Sequence, residues 1–125
     1  MDIYILIVGF VCHYVGDFLL QTRKIAMNKS KSIKYLSLHG LPILATSLVV
    51  MSLYDMTFAK SALCAIVYTL AHCLQDYKVW GWFNTAIASK HERGSEEFDK
   101  WFFRFLGFDQ MAHMILLFGI PALIS

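Results

Sequence analysis

The sequence predicts an all-α, polytopic membrane protein: four transmembrane helices in a bundle, with a short interfacial helix before the fourth. Three observations predict it. Of 125 residues, 58% are hydrophobic and only 16% charged, whereas a soluble domain carries about a quarter charged residues. A soluble chain this short cannot bury so much apolar surface, so lipid is its natural solvent. The apolar residues fall into four runs close to the ~20 residues that cross a bilayer as a helix, and the charges cluster between the runs. One domain, residues 1–125, accounts for the whole pattern.

The first run, about residues 3–20, has no basic stretch before it and no small-residue cleavage pattern after it. It reads as a retained helix and not a signal peptide. A basic connection, 22–34, follows. The second run spans about 35–54, with Pro42 near its start, where a helix tolerates proline best. Asp55-Met56-Thr57 is a short turn into the third run, about 58–77. A long connection, 78–107, leads to the fourth run, 108–125. Within it, residues 96–106 mix Trp101 and several phenylalanines with Lys100 and Arg104. Such a mixture suits the headgroup region, either as an interfacial helix or as a loop with aromatic anchors. The three cysteines, Cys12, Cys64 and Cys73, have no CxxC spacing and read as buried reduced thiols.

Charge sets the orientation. Arg23, Lys24, Lys29, Lys31 and Lys34 lie in the first connection, and Lys78, Lys90, Arg93, Lys100 and Arg104 in the third; the opposite side has only Lys60. By the positive-inside rule both basic connections face the cytoplasm and both termini lie on the far side of the inner or plasma membrane.

This topology places the polar intramembrane residues. His13, Asp17 and Gln21 recur at i, i+4, i+8, one face of a helix that ends at the cytoplasm. His72 and Asp76 repeat the spacing at the same depth in the third run. His39 lies a turn into the second, and Asp109 and His113 open the fourth with the order reversed, as an oppositely running helix requires. All seven groups fall in one cytoplasmic layer. The two His-x-x-x-Asp-aromatic motifs also suggest an internal repeat of two hairpins, imperfect because Tyr35 stands where an aspartate would precede His39.

Imidazole nitrogen and carboxylate oxygen are ligands for a divalent ion, zinc first, with manganese or iron as alternatives. Three pairs and a further histidine exceed the four donors of one tetrahedral site. Either two ions bind, or some aspartates orient histidines from behind. The bland readings are an interhelical hydrogen bond for His39, buried ion pairs, or a proton relay. An aspartate costs roughly 2.5–3.5 kcal/mol at the membrane centre, so three of them are a poor stability device where apolar packing would serve. His13, His72 and His113 are the preferred ligands, with Asp17, Asp76, Asp109 and His39 as further ligands or catalytic base. Gln21, Gln75 and Gln110 lie beside the set. Gln21, Gln110, Arg23 and Lys24 are the expected substrate contacts, the two cations drawing phosphate to the site.

At these residues the chain resembles the domain of unknown function 3307 family of small bacterial and phage membrane proteins. The resemblance rests on His13-x-x-x-Asp17-Phe18-Leu19-Leu20-Gln21, on His72-x-x-x-Asp76 and on Asp109-Gln110-x-x-His113. It implies a membrane-bound, metal-dependent hydrolase and names no substrate. The expected function is therefore hydrolysis at a His/Asp metal site near the cytoplasmic face, with a zinc ion lowering the pKa of bound water to about 7. A phosphoester or phosphoanhydride of a lipid or nucleotide fits the basic rim. A divalent-cation or proton transporter is the second reading, opposed by the apolar far halves of the helices. The third is a non-enzymatic adaptor binding a partner protein through the aromatic connection. The expected partners are the lipid bilayer, a small-molecule or lipid phosphate and a second copy of the chain in a homodimer; nucleic acid is not expected.

Overall fold

The computed structural model describes residues 1–125, all-helical and without strands. Helix α1 (Ile3–Tyr14) starts where the Asp2 side chain accepts from the Tyr4 amide. It runs into a π-helical turn, Val15–Leu19. Helix α2 (Arg23–Asn28) is capped by Thr22. Helix α3 spans Ile33–Met51. Helix α4 (Phe58–Phe83), capped by Thr57, continues into a second π-helical turn, Asn84–Ala88. Helix α5 spans Glu96–Ile124. Three stretches, Ile33–Met51, Phe58–Ala88 and Glu96–Ile124, are long and apolar enough to cross a membrane; Ile3–Leu19 is apolar but shorter.

Several expected boundaries shift, each for a local reason. The fourth helix begins at residue 96, not 108, so residues 96–106 are its first turns and not a separate interfacial helix. Ser95 caps the Phe98 amide, and Glu96, Glu97 and Asp99 complement the positive end of the helix dipole. The third helix passes the expected end at residue 77 and stays helical to Ala88, which shrinks the long connection. Aromatic packing joins the two extensions: the Phe83 ring lies 5.4 Å from Phe98, 6.0 Å from Phe102 and 5.3 Å from Phe105. The first connection, read as a plain basic link, contains α2. Pro42 lies mid-helix in α3, not near its start, because that helix begins at Ile33.

Helix α1 packs on α3, α3 on α4 and α4 on α5, and α1 also touches α5. Polarity is distributed opposite to a soluble domain. The buried residues include His13, Asp17, Lys29, His39, His72, Asp76, Asp109 and His113, while Ile3, Ile7, Leu41, Leu70, Leu74 and Ile115 are exposed. Such an arrangement is stable where the outer solvent is apolar. A separate apolar core of Ile43, Val50, Met51, Cys64, Ala65, Tyr68, Leu117 and Ile120 lies alongside the polar cluster. All three cysteines are free.

Close helix contact is needed at Gly16. A Cβ there would lie 2.6 Å from Thr46 Oγ1 and 3.4 Å from the Pro42 carbonyl oxygen. Gly16→Ala is therefore expected to push α1 off α3, destabilise the fold by about 1–3 kcal/mol and displace the neighbouring Asp17. Gly9 is the internal control: a Cβ there meets only the far end of the Phe118 ring and the Leu117 side chain, which can swing aside. Thermal unfolding in detergent should show the larger drop in midpoint for Gly16→Ala.

Candidate metal centre

Each helix brings its groups inward by simple periodicity. Helix α4 stacks Tyr68, His72 and Asp76 on successive turns of one face. Helix α5 contributes Asp109, Gln110 and His113, α3 His39 and α1 His13. Asp17 lies in the π-helical turn after α1, next to Gly16. Single π turns often mark functional positions because the extra residue re-aims a side chain. Here Asp17 Oδ2 lies 3.6 Å from His13 Nε2 while Oδ1 reaches His39 on α3.

The tightest set is Asp17, His39, His72 and Asp76, all buried. His39 Nε2 is 3.1 Å from Asp17 Oδ1, 2.9 Å from Asp76 Oδ2 and 3.3 Å from His72 Nε2. His72 Nε2 is 3.4 Å from Asp17 Oδ1 and 3.3 Å from Asp76 Oδ2. These are five of the six edges of a tetrahedron. Donors arranged tetrahedrally about zinc at ~2.0–2.1 Å would be about 3.3 Å apart. Tyr68 supports the set from behind: its hydroxyl is 3.2 Å from His72 Nδ1 and 3.5 Å from His13 Nδ1, the kind of contact that holds a ligand imidazole in place.

Hydrogen bonding separates the three aspartates. Asp17 Oδ1 and Asp76 Oδ1 are buried and accept no hydrogen bond, and His39 Nδ1 and both ring nitrogens of His113 are also without partners. Such atoms are costly to bury unless something else satisfies them. Asp109 is different: Oδ1 accepts from Gln75 Nε2 at 3.1 Å, and Oδ2 from Trp80 Nε1 and Gln110 Nε2, both at 3.3 Å. With its oxygens occupied and Oδ1 3.5 Å from His113 Nε2, Asp109 is placed to orient His113. The donor set at Asp17, His39, His72 and Asp76 fits a divalent ion; Asp109 fits the shell behind it.

A second grouping lies on the other side of Asp17. His13, His72 and His113 bring donors within 4.8 Å of one another, as do Asp17, Asp109 and His113. The His72 and His113 rings stack at 3.7 Å. Gln110 ties this side together, with Oε1 2.6 Å from His13 Nε2 and Nε2 donating to Asp17 Oδ2 at 2.9 Å.

One charged group escaped the sequence reading. Lys29, from α2, is buried with its ammonium 3.1 Å from Asp76 Oδ2 and 4.0 Å from Asp17 Oδ1. Nothing in the basic run distinguished it. Tyr68 was legible, four residues before His72 on the same helical face. A cavity of about 290 Å³ reaches the centre; Asp17, Gln21, Arg23, Lys29, Arg93 and Gln110 are among its walls. Beside it lies a larger cavity of about 570 Å³, with Ala26, Met27, Trp80, Arg93 and Phe102 common to both. The structure thus brings together all seven predicted ligands and Gln110, and sets Gln21 and Arg23 in the cavity wall. Lys24 is elsewhere, its ammonium 5.7 Å from the Tyr35 ring centroid.

A family model described as "Protein of unknown function (DUF3307)" matches residues 5–124. No curated protein and no solved structure matches the chain.

Proposed function

The chain belongs to the DUF3307 family, and from that premise we propose that it is a four-helix integral membrane protein acting as a metal-dependent hydrolase. Its metal is held by Asp17, His39, His72 and Asp76 near the cytoplasmic face. The observation that carries this reading is the near-tetrahedral convergence of four buried donors. A zinc ion bound at this centre would supply Lewis acidity and, at a coordination position left open by the protein, an acidified water; manganese and iron suit the same donors. The ten basic residues of the two connections favour a cytoplasmic mouth and both termini on the far side.

The protein's own groups bind and orient. Arg23, Arg93 and Lys29 line the inner cavity and attract a phosphoester or phosphoanhydride. Gln110 joins His13 to Asp17 and Asp109, both of which line the cavity. Asp109 lies 3.5 Å from His113 Nε2 and orients that buried imidazole. A transport path is disfavoured because Val50, Met51, Cys64, Ala65 and Leu117 form a closed apolar core.

The test is elemental analysis of protein purified without chelators, beside His39→Ala, together with hydrolysis of p-nitrophenyl phosphate and bis(p-nitrophenyl) phosphate in detergent. At least one equivalent of transition metal in wild type is expected, with both metal and turnover lost in the variant. Metal-free wild type would overturn the reading.

A further inference from the structure

We propose that the centre binds two divalent ions side by side, with the Asp17 carboxylate bridging them; this rests on the metal reading above. The two oxygens of Asp17 face different histidines. Oδ1 faces His39 and His72, at 3.1 and 3.4 Å. Oδ2 faces His13 Nε2 and His113 Nδ1, both at 3.6 Å. A carboxylate lying between two pairs of imidazoles is the arrangement in which one group binds two cations. His113 is the independent sign of a missing ligand on the second side. It is fully buried, yet neither ring nitrogen has a hydrogen-bond partner, although imidazole is seldom left so in a protein interior.

The two positions differ in chemistry. The first has four protein donors. The second, from His13 Nε2, Asp17 Oδ2 and His113 Nδ1, has three, on the side of Asp17 that Gln110 contacts. Three protein ligands with an open fourth position are the pattern of a catalytic site, and four that of a structural one. The second position has fewer protein donors, and Gln110 already engages two of them, His13 Nε2 at 2.6 Å and Asp17 Oδ2 at 2.9 Å, so it fills after the first and more weakly. Paired ions clamp both the attacking and the leaving oxygen of an in-line displacement. That narrows the substrate to a phosphoester or phosphoanhydride, in keeping with the cationic cavity wall.

The experiment is titration of metal-stripped protein in detergent with manganese, followed by calorimetry and electron paramagnetic resonance. Wild type is expected to take up two ions per chain in two steps and to give a spin-coupled spectrum at saturation. His113→Gln, which keeps the side-chain size, should bind one ion with an uncoupled spectrum. A wild type saturating at one uncoupled ion overturns the second position and leaves the first standing. Failure to bind any ion overturns both readings. The wild-type count decides the matter even where the variant folds poorly.

Discussion

Asp76→Asn is expected to strip the centre of its tightly held ion, whereas Asp109→Asn is expected to leave that ion in place. Both substitutions remove one carboxylate charge at nearly constant volume, and both residues are buried. Their surroundings make the difference. Asp76 Oδ2 lies 2.9 Å from His39 Nε2 and 3.3 Å from His72 Nε2 and accepts only from the Lys29 ammonium, a cation that a metal ion can replace, while its Oδ1 accepts no hydrogen bond. Asp109 already accepts from Gln75, Trp80 and Gln110. Loss of an outer partner weakens metal binding by roughly 10–100-fold, and loss of a direct ligand should exceed that range. The expected result is a drop beyond ~100-fold for Asp76→Asn and no more than about 10–100-fold for Asp109→Asn. Competition with a chromogenic chelator measures both. Equal losses would mean that the three aspartates form one structural network and not a ligand set with a supporting shell.

The same contrast explains what was readable in the chain. The His-x-x-x-Asp spacing makes neighbours on a helix regardless of tertiary detail, so the register of His13 with Asp17 and of His72 with Asp76 followed from periodicity alone. The common depth of His39, Asp109 and His113 followed from topology. Which carboxylate is free depends on Gln75 and Trp80, whose reach across to α5 no spacing rule predicts. Helix ends were misplaced for a related reason: hydropathy marks where lipid begins, not where helical hydrogen bonding stops. Residues 96–106 are amphipathic and aromatic, and their helix is fixed by the Ser95 cap and by packing against the extension of α4. Neither the cap nor the packing entered the sequence reading, which took residues 96–106 as a segment on their own. Lys29 was hidden most completely, since one lysine among five basic residues looks like a topology signal until α2 folds it inward.

Lys29→Met is expected to destabilise the metal-free protein and to tighten metal binding. The ammonium lies 3.1 Å from Asp76 Oδ2 and 4.0 Å from Asp17 Oδ1, the oxygens that also approach His39 and His72. Without an ion, Lys29 is the basic side chain held against these carboxylates. Methionine keeps most of the apolar stem and removes the charge, leaving two buried carboxylates short of a partner. Breaking a buried ion pair from one side costs roughly 3–5 kcal/mol. A divalent ion restores the lost charge at the same oxygens, so the loaded variant should recover most of its stability. Linkage then requires tighter binding: stability lost only by the metal-free form reappears as affinity, about tenfold for each 1.4 kcal/mol. Even half of the lower bound would tighten binding by about tenfold. Thermal unfolding in detergent, with and without zinc, should show a wider gap between the two midpoints in Lys29→Met than in wild type. An equal fall in both midpoints would assign Lys29 to packing of α2 on α3, and the competition between lysine and metal would have to be abandoned.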